Sequence, residues 1–79
     1  MPADQPPAWV LQIRQQVGRR IVGLREERGL SYLELAHAAG IHRHTMSRTE
    51  LGTSAASIDV IVKIAAALDV PPDRLFRDE

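Results

Sequence analysis

Leu24 to Gly52 reads LREERGLSYLELAHAAGIHRHTMSRTELG. Its punctuation is local and unambiguous. Arg28 suits the last turn of a helix, and Gly29 supplies the left-handed residue that stops it. Ser31 then caps a second helix, and Glu34, three residues on, completes a capping box. Leu35, Ala36 and Ala39 recur at helical spacing as the buried side of that helix, which Gly40 ends. Only Ile41 and His42 separate Gly40 from another helical stretch, about Arg43 to Leu51, closed by Gly52. Two short helices around a tight glycine turn make the helix-turn-helix geometry.

Working outward, a long first helix begins at Ala8, with Val10, Ile13, Val17, Ile21, Leu24 and Arg28 on one stripe. Gly18 and Gly23 each weaken it by roughly 1 kcal/mol relative to Ala, so packing must hold it. Downstream, TSAAS forms a polar link, and Ser57 caps a fourth helix with Ile58, Ile61, Ile64, Ala65 and Leu68 as its apolar stripe. Pro71-Pro72 breaks the chain, and Pro72 suits the first turn of a fifth short helix, Asp73 to about Arg77. No segment alternates with period two, so no strand is expected. Residues 1–7 hold three prolines and read as a flexible arm ahead of a single domain over residues 8–79.

Composition narrows the function classes. The chain has 79 residues, 44% hydrophobic and 25% charged, enough for one small core and too few for a second domain. Lys plus Arg and Asp plus Glu are equal at 10 each, which excludes polyanion binding by bulk charge but leaves room for a local patch. The charge is uneven: Arg14, Arg19, Arg20, Arg25 and Arg28 outweigh the acids of the first 30 residues, whereas five acids outweigh Lys63, Arg74 and Arg77 at the end. With no Cys there is no disulfide, thiol nucleophile or cysteine zinc site. Neither a signal peptide nor a membrane-spanning run is visible, so a cytoplasmic protein is expected.

The Leu24–Gly52 run closely resembles the DNA-binding helix-turn-helix of the phage repressor/Cro-like (XRE-type) transcriptional regulators. The likeness extends from about Val17 through SIDVIVKIAAALDVPPDRLF, roughly three quarters of the chain. Its carriers are GLS at 29–31, ELA at 34–36, AG at 39–40, Glu50-x-Gly52 and the closing ALDVPPDRLF. Each is weak alone; all in order at the right spacing are specific. The resemblance implies an all-α, compact five-helix, lambda-repressor-like domain that acts as a homodimer on double-stranded DNA, at a pseudo-palindromic operator.

It also implies that the third helix is the recognition helix. A helix fits the major groove, and its N-terminal side chains reach base edges. Here these are His42, Arg43, His44 and Thr45, with Arg48 one turn on. Either Arg can pair with guanine O6 and N7, whereas the bland alternative is a solvated polar face. Phosphate contacts fall to Tyr32, at a position where the family often has Gln, and to Thr53. Arg19 and Arg20 can reach flanking phosphates or simply be solvated. Arg25 and Glu50 match a buried pair that in the family locks the first and third helices together, a structural role. Three departures stand out. His42 is a poorer cap than the usual Ser, Thr or Asp. Thr49 replaces an apolar core residue, so its hydroxyl must find a backbone acceptor or water. The TSAAS link lacks the usual Lys or Arg.

Other constellations are thin. His37, His42 and His44 lack companions at ligand spacing, so neither a metal nor a cofactor is expected, and no catalytic motif marks an enzyme. Val70, Leu75 and Phe76 exceed what a small monomer buries and are the expected dimer interface. Trp9 either covers its own core or packs on the last helix or a partner chain. The competing class is an antitoxin-type module whose main partner is a toxin or other protein.

Overall fold

The computed structural model describes residues 5–77, and among these all regular structure is helical. The helices are α1 (Ala8–Glu27), α2 (Tyr32–Ala39), α3 (Arg43–Leu51) and α4 (Ile58–Leu68), followed by a 3-10 segment, Pro72–Phe76. The expected five-helix count is therefore corrected to four α-helices and one 3-10 turn. Five residues cannot complete two α-helical turns, and Pro71 and Pro72 bring no N–H. The segment closes instead through the tighter bond from Arg74 N–H to the Pro71 carbonyl, 3.0 Å. The arm expected over residues 1–7 lies outside the described residues as far as residue 4, and the domain's last two residues likewise.

Each boundary has a chemical cause. The Ser31 hydroxyl accepts from Glu34 N–H (3.1 Å) while Ser31 N–H donates to the Glu34 carboxylate (2.8 Å), the full capping box. The Ser57 hydroxyl caps α4 by accepting from Val60 N–H at 3.1 Å. At the end of α2, Gly40 adopts φ +69°, which lets Ile41 N–H reach back to the Ala36 carbonyl at 3.0 Å and folds Ile41 onto the core. The end of α4 uses the same wrap without glycine: Asp69 sits at φ +60°, and Val70 N–H bonds the Ala65 carbonyl at 3.0 Å.

One core receives a fully buried side chain from every element: Ile21 and Leu24 of α1, Leu35 of α2, Met46 of α3, Ile64 and Leu68 of α4, and Leu75 of the 3-10 segment. Each such burial contributes about 1.5–3 kcal/mol. Leu75 thus belongs to its own chain's core, which removes it from the expected dimer interface. Val70 is half-buried and Phe76 is 54% exposed. The apolar stripes are shorter than their sequence suggests. The first turns of α1 overhang the core, leaving Ile13 and Trp9 exposed, Trp9 at 64%, and α4 likewise leaves Ile58 exposed.

Helices α1 and α3 approach with nothing between their backbones. A Cβ at Gly18 would overlap the Glu50 carbonyl oxygen and come within 2.8 Å of the Thr49 carbonyl oxygen. Glycine is required there for space, not for dihedral freedom. Gly23, one and a half turns on, faces open space.

Candidate nucleic-acid interface

Two residues turn α3 inward: Met46 is fully buried, and Thr49, one turn later, is buried with its hydroxyl donating to the Thr45 carbonyl at 2.7 Å. The expectation that this hydroxyl needs a backbone acceptor is met within the helix itself. With Met46 and Thr49 facing the core, the 3.6-residue period turns Arg43, His44, Arg48 and Leu51 to solvent.

The trailing end of α3 is fixed by charge as well as by contact. Arg25 Nε donates to Glu50 Oε2 at 2.7 Å and Nη2 to Oε1 at 3.1 Å, a two-pronged pair, while Nη1 donates to the Leu30 carbonyl at 3.2 Å. Both side chains are largely buried, 15% and 8% exposed. The Glu50 hydrogen bonds, opposed by partial burial, hold the Arg25 pKa above the ordinary guanidinium value. The pair therefore joins α1 to α3, and its polar atoms are turned to each other, not outward.

The leading end is capped by an unusual group. His42 Nδ1 accepts from His44 N–H at 3.1 Å, so the residue read as a poor cap does cap the helix. Asn and Asp place a side-chain acceptor at the same remove from the backbone, the signal by which a capping histidine is recognisable. The His42 and His44 rings lie 4.9 Å apart at 57°. His42, Arg43, His44 and Arg48 are exposed, and Thr45 is half-buried beneath them. Tyr32, 38% exposed, opens α2 beside the capping box. Thr53, exposed past the end of α3, bonds the Arg48 carbonyl through its N–H at 3.1 Å. Arg19 is exposed. Arg20 is not available to a flanking phosphate: its Nε donates to the Arg74 carbonyl at 3.4 Å, and its Nη2 is buried. His37 is exposed on α2, and no cluster of three His, Cys, Asp or Glu able to hold a metal forms among the described residues. No described helix is long and apolar enough to cross a membrane.

The model of the HTH_3 helix-turn-helix family matches residues 23–75, two thirds of the chain. The chain belongs to the HTH_3 family. This HTH_3 chain is similar to solved structures of the same kind. One is the restriction-modification controller protein C.AhdI from Aeromonas hydrophila, with TM-score 0.77 and 36% identity over 80% of this chain and 96% of that one. Another is the hypothetical transcription factor NHTF from Neisseria, with TM-score 0.79 and 29% identity over 96% of this chain and 83% of that one. A third is an HTH_3 family transcriptional regulator from Vibrio cholerae, TM-score 0.78 at 27% identity, covering 85% of this chain and 38% of that one. Curated relatives from Pyrococcus horikoshii and Pyrococcus furiosus, provisionally named HTH-type transcriptional regulatory proteins, are each 39% identical over 54 residues. That stretch is 68% of this HTH_3 chain but 17% of each relative. The phage repressor/Cro-type resemblance read from residues 24–52 is therefore a family membership.

Proposed function

We propose that the protein is a sequence-specific DNA-binding transcriptional regulator, an autoregulatory controller or repressor, that occupies a pseudo-palindromic operator as a homodimer. One observation carries this reading. A helix held rigidly at its trailing end by Met46, Thr49 and the Arg25–Glu50 pair presents His42, Arg43, His44 and Arg48 to solvent at its leading end. Such an object inserts into a major groove, with Arg43 and Arg48 suited to guanine edges. In this reading Thr45 meets the rim of the groove, and Tyr32 and Thr53 contact phosphates. Likeness to a restriction-modification controller over 96% of that protein's length favours the controller role.

The dimer reading draws on unspent apolar surface. Phe76, Ile13 and Ile61 line a shallow groove of about 160 Å³; Trp9 and Ile58 stand exposed one helical turn along from Ile13 and Ile61, and Val62 is exposed beside Ile61. On a pseudo-palindromic site the two α3 helices of such a dimer enter successive major grooves about 34 Å apart, one turn of DNA.

The test is Arg43→Ala/His44→Ala. Both side chains are exposed, so the fold is retained, as far-UV circular dichroism will show. In selection from a random duplex library, the wild-type chain is expected to enrich one motif and the double variant to lose it. Enrichment of the same motif by both proteins overturns the reading.

A further inference from the structure

The cap on α3 determines what His42 can say to a base. A neutral imidazole carries one proton on one of its two nitrogens. His42 Nδ1 accepts the His44 N–H at 3.1 Å, so Nδ1 carries none and the proton lies on Nε2. Nε2 occupies the opposite edge of an exposed ring. We infer that His42 is a donor-only reader: through Nε2–H it selects a base edge that offers an acceptor and rejects one that offers only a donor. This rests on the DNA-binding reading above and adds the chemistry of the edge.

The major groove makes that distinction sharp. Guanine presents O6 and N7, both acceptors; adenine presents N7 and thymine O4; cytosine alone presents only the N4 amine, a donor. A histidine free to change tautomer accommodates all four by moving its proton or flipping its ring. His42 has neither freedom without giving up the cap. A flipped ring would aim Cδ2–H at the His44 N–H. A proton moved to Nδ1 would set donor against donor. The His44 ring lies 4.9 Å away, tilted by 57°. The His44 N–H is in turn spent on the cap. His42 thus offers the groove a donor only, and the base step under it should exclude cytosine on the strand it faces.

The experiment compares the wild-type chain with His42→Ser, which keeps a capping oxygen for the His44 N–H and removes the outward donor. Two readouts are taken on the full chain. Long-range 1H–15N correlation of the ring nitrogens at pH 8, without DNA, reports the tautomer. A protonated Nε2 with a bare Nδ1 at His42 is expected, and a protonated Nδ1 overturns the inference. Selection from a random duplex library then reports base preference. Cytosine is expected to be depleted about five-fold or more at one position per half-site for the wild-type chain, and to return in His42→Ser with the other positions unchanged. Identical base preferences in the two proteins overturn the inference while leaving the regulator reading intact. A wild-type chain that enriches no motif at all removes both.

Discussion

Replacing Glu50 with Gln takes one negative charge out of the joint between α1 and α3 and changes almost no volume. Arg25 then keeps its bond to the Leu30 carbonyl at 3.2 Å and one amide oxygen, and loses the carboxylate that met Nε at 2.7 Å and Nη2 at 3.1 Å. Removing one partner of a fully buried pair costs about 3–5 kcal/mol, mostly because the other charge is left uncompensated. Here Arg25 is 15% exposed and Gln retains an acceptor, which brings the expectation down to about 2–3 kcal/mol. A domain of this size is stable by roughly 4–12 kcal/mol, so the loss is a large fraction. The thermal midpoint should fall by roughly 10–20 °C. The companion variant, Arg25→Met/Glu50→Met, removes both charges and should lie within about 1 kcal/mol of wild type. Urea unfolding followed at 222 nm, at one fixed protein concentration, measures both. Because the Arg25 pKa is raised, its contribution is complete at every pH below the ordinary guanidinium value and fades only as pH rises above it. The cost of Glu50→Gln should therefore be no smaller at pH 9 than at pH 6. A single variant that loses less than about 0.5 kcal/mol, or a double variant that costs the sum of its singles, would refute the idea that uncompensated charge is what the pair prevents.

Gly18→Ala and Gly23→Ala are the same chemical change in one helix with opposite expected signs. The first drives a methyl into the Glu50 carbonyl and should cost about 3 kcal/mol or more, whereas the second meets open space and should stabilise by about 0.5–1 kcal/mol; thermal melts that move the same way for both would contradict this. Thr49→Val should change stability by less than about 1 kcal/mol, since the Thr45 carbonyl keeps its helical partner when the hydroxyl at 2.7 Å is gone; a loss above about 2 kcal/mol in the same urea assay would mean the hydroxyl is essential. Phe76→Ser should leave the core intact, because Leu75 beside it fills that role, and should shift sedimentation velocity toward the monomer; an unchanged dimer would place the interface elsewhere.

The local grammar of the fold is plain in the sequence because it is written in short-range chemistry. Ser31 with Glu34, Gly40, Gly52 and Ser57 fix helix ends through atoms only a few residues away. The bounds of α3 follow from them. What escapes the sequence depends on residues far along the chain. Nothing near Leu75 says that it completes the core under α1 and α4 while Phe76 does not. Nothing near Arg20 says that its guanidinium lies against the Arg74 carbonyl, and nothing near Gly18 says that a neighbouring backbone fills the space its missing methyl leaves. The candidate interface divides the same way. That Arg43, His44 and Arg48 face outward follows from the helical period once Met46 and Thr49 face inward. The state of His42 depends on a single hydrogen bond, and composition points against it, since histidine is rarely a capping residue.

The tight apposition of Gly18 with the Glu50 carbonyl has an evolutionary consequence. It makes the rear of α3 intolerant of change, because neither backbone can retreat, while the front owes the core nothing beyond Met46. Residues 43, 44 and 48 can then be exchanged as a set so long as position 42 keeps a capping side chain, as one re-cuts the bit of a key and leaves its bow alone. A lineage built on this frame can acquire new targets in a few substitutions without risking collapse, and an engineer grafting other residues onto these positions should find the scaffold indifferent to the choice.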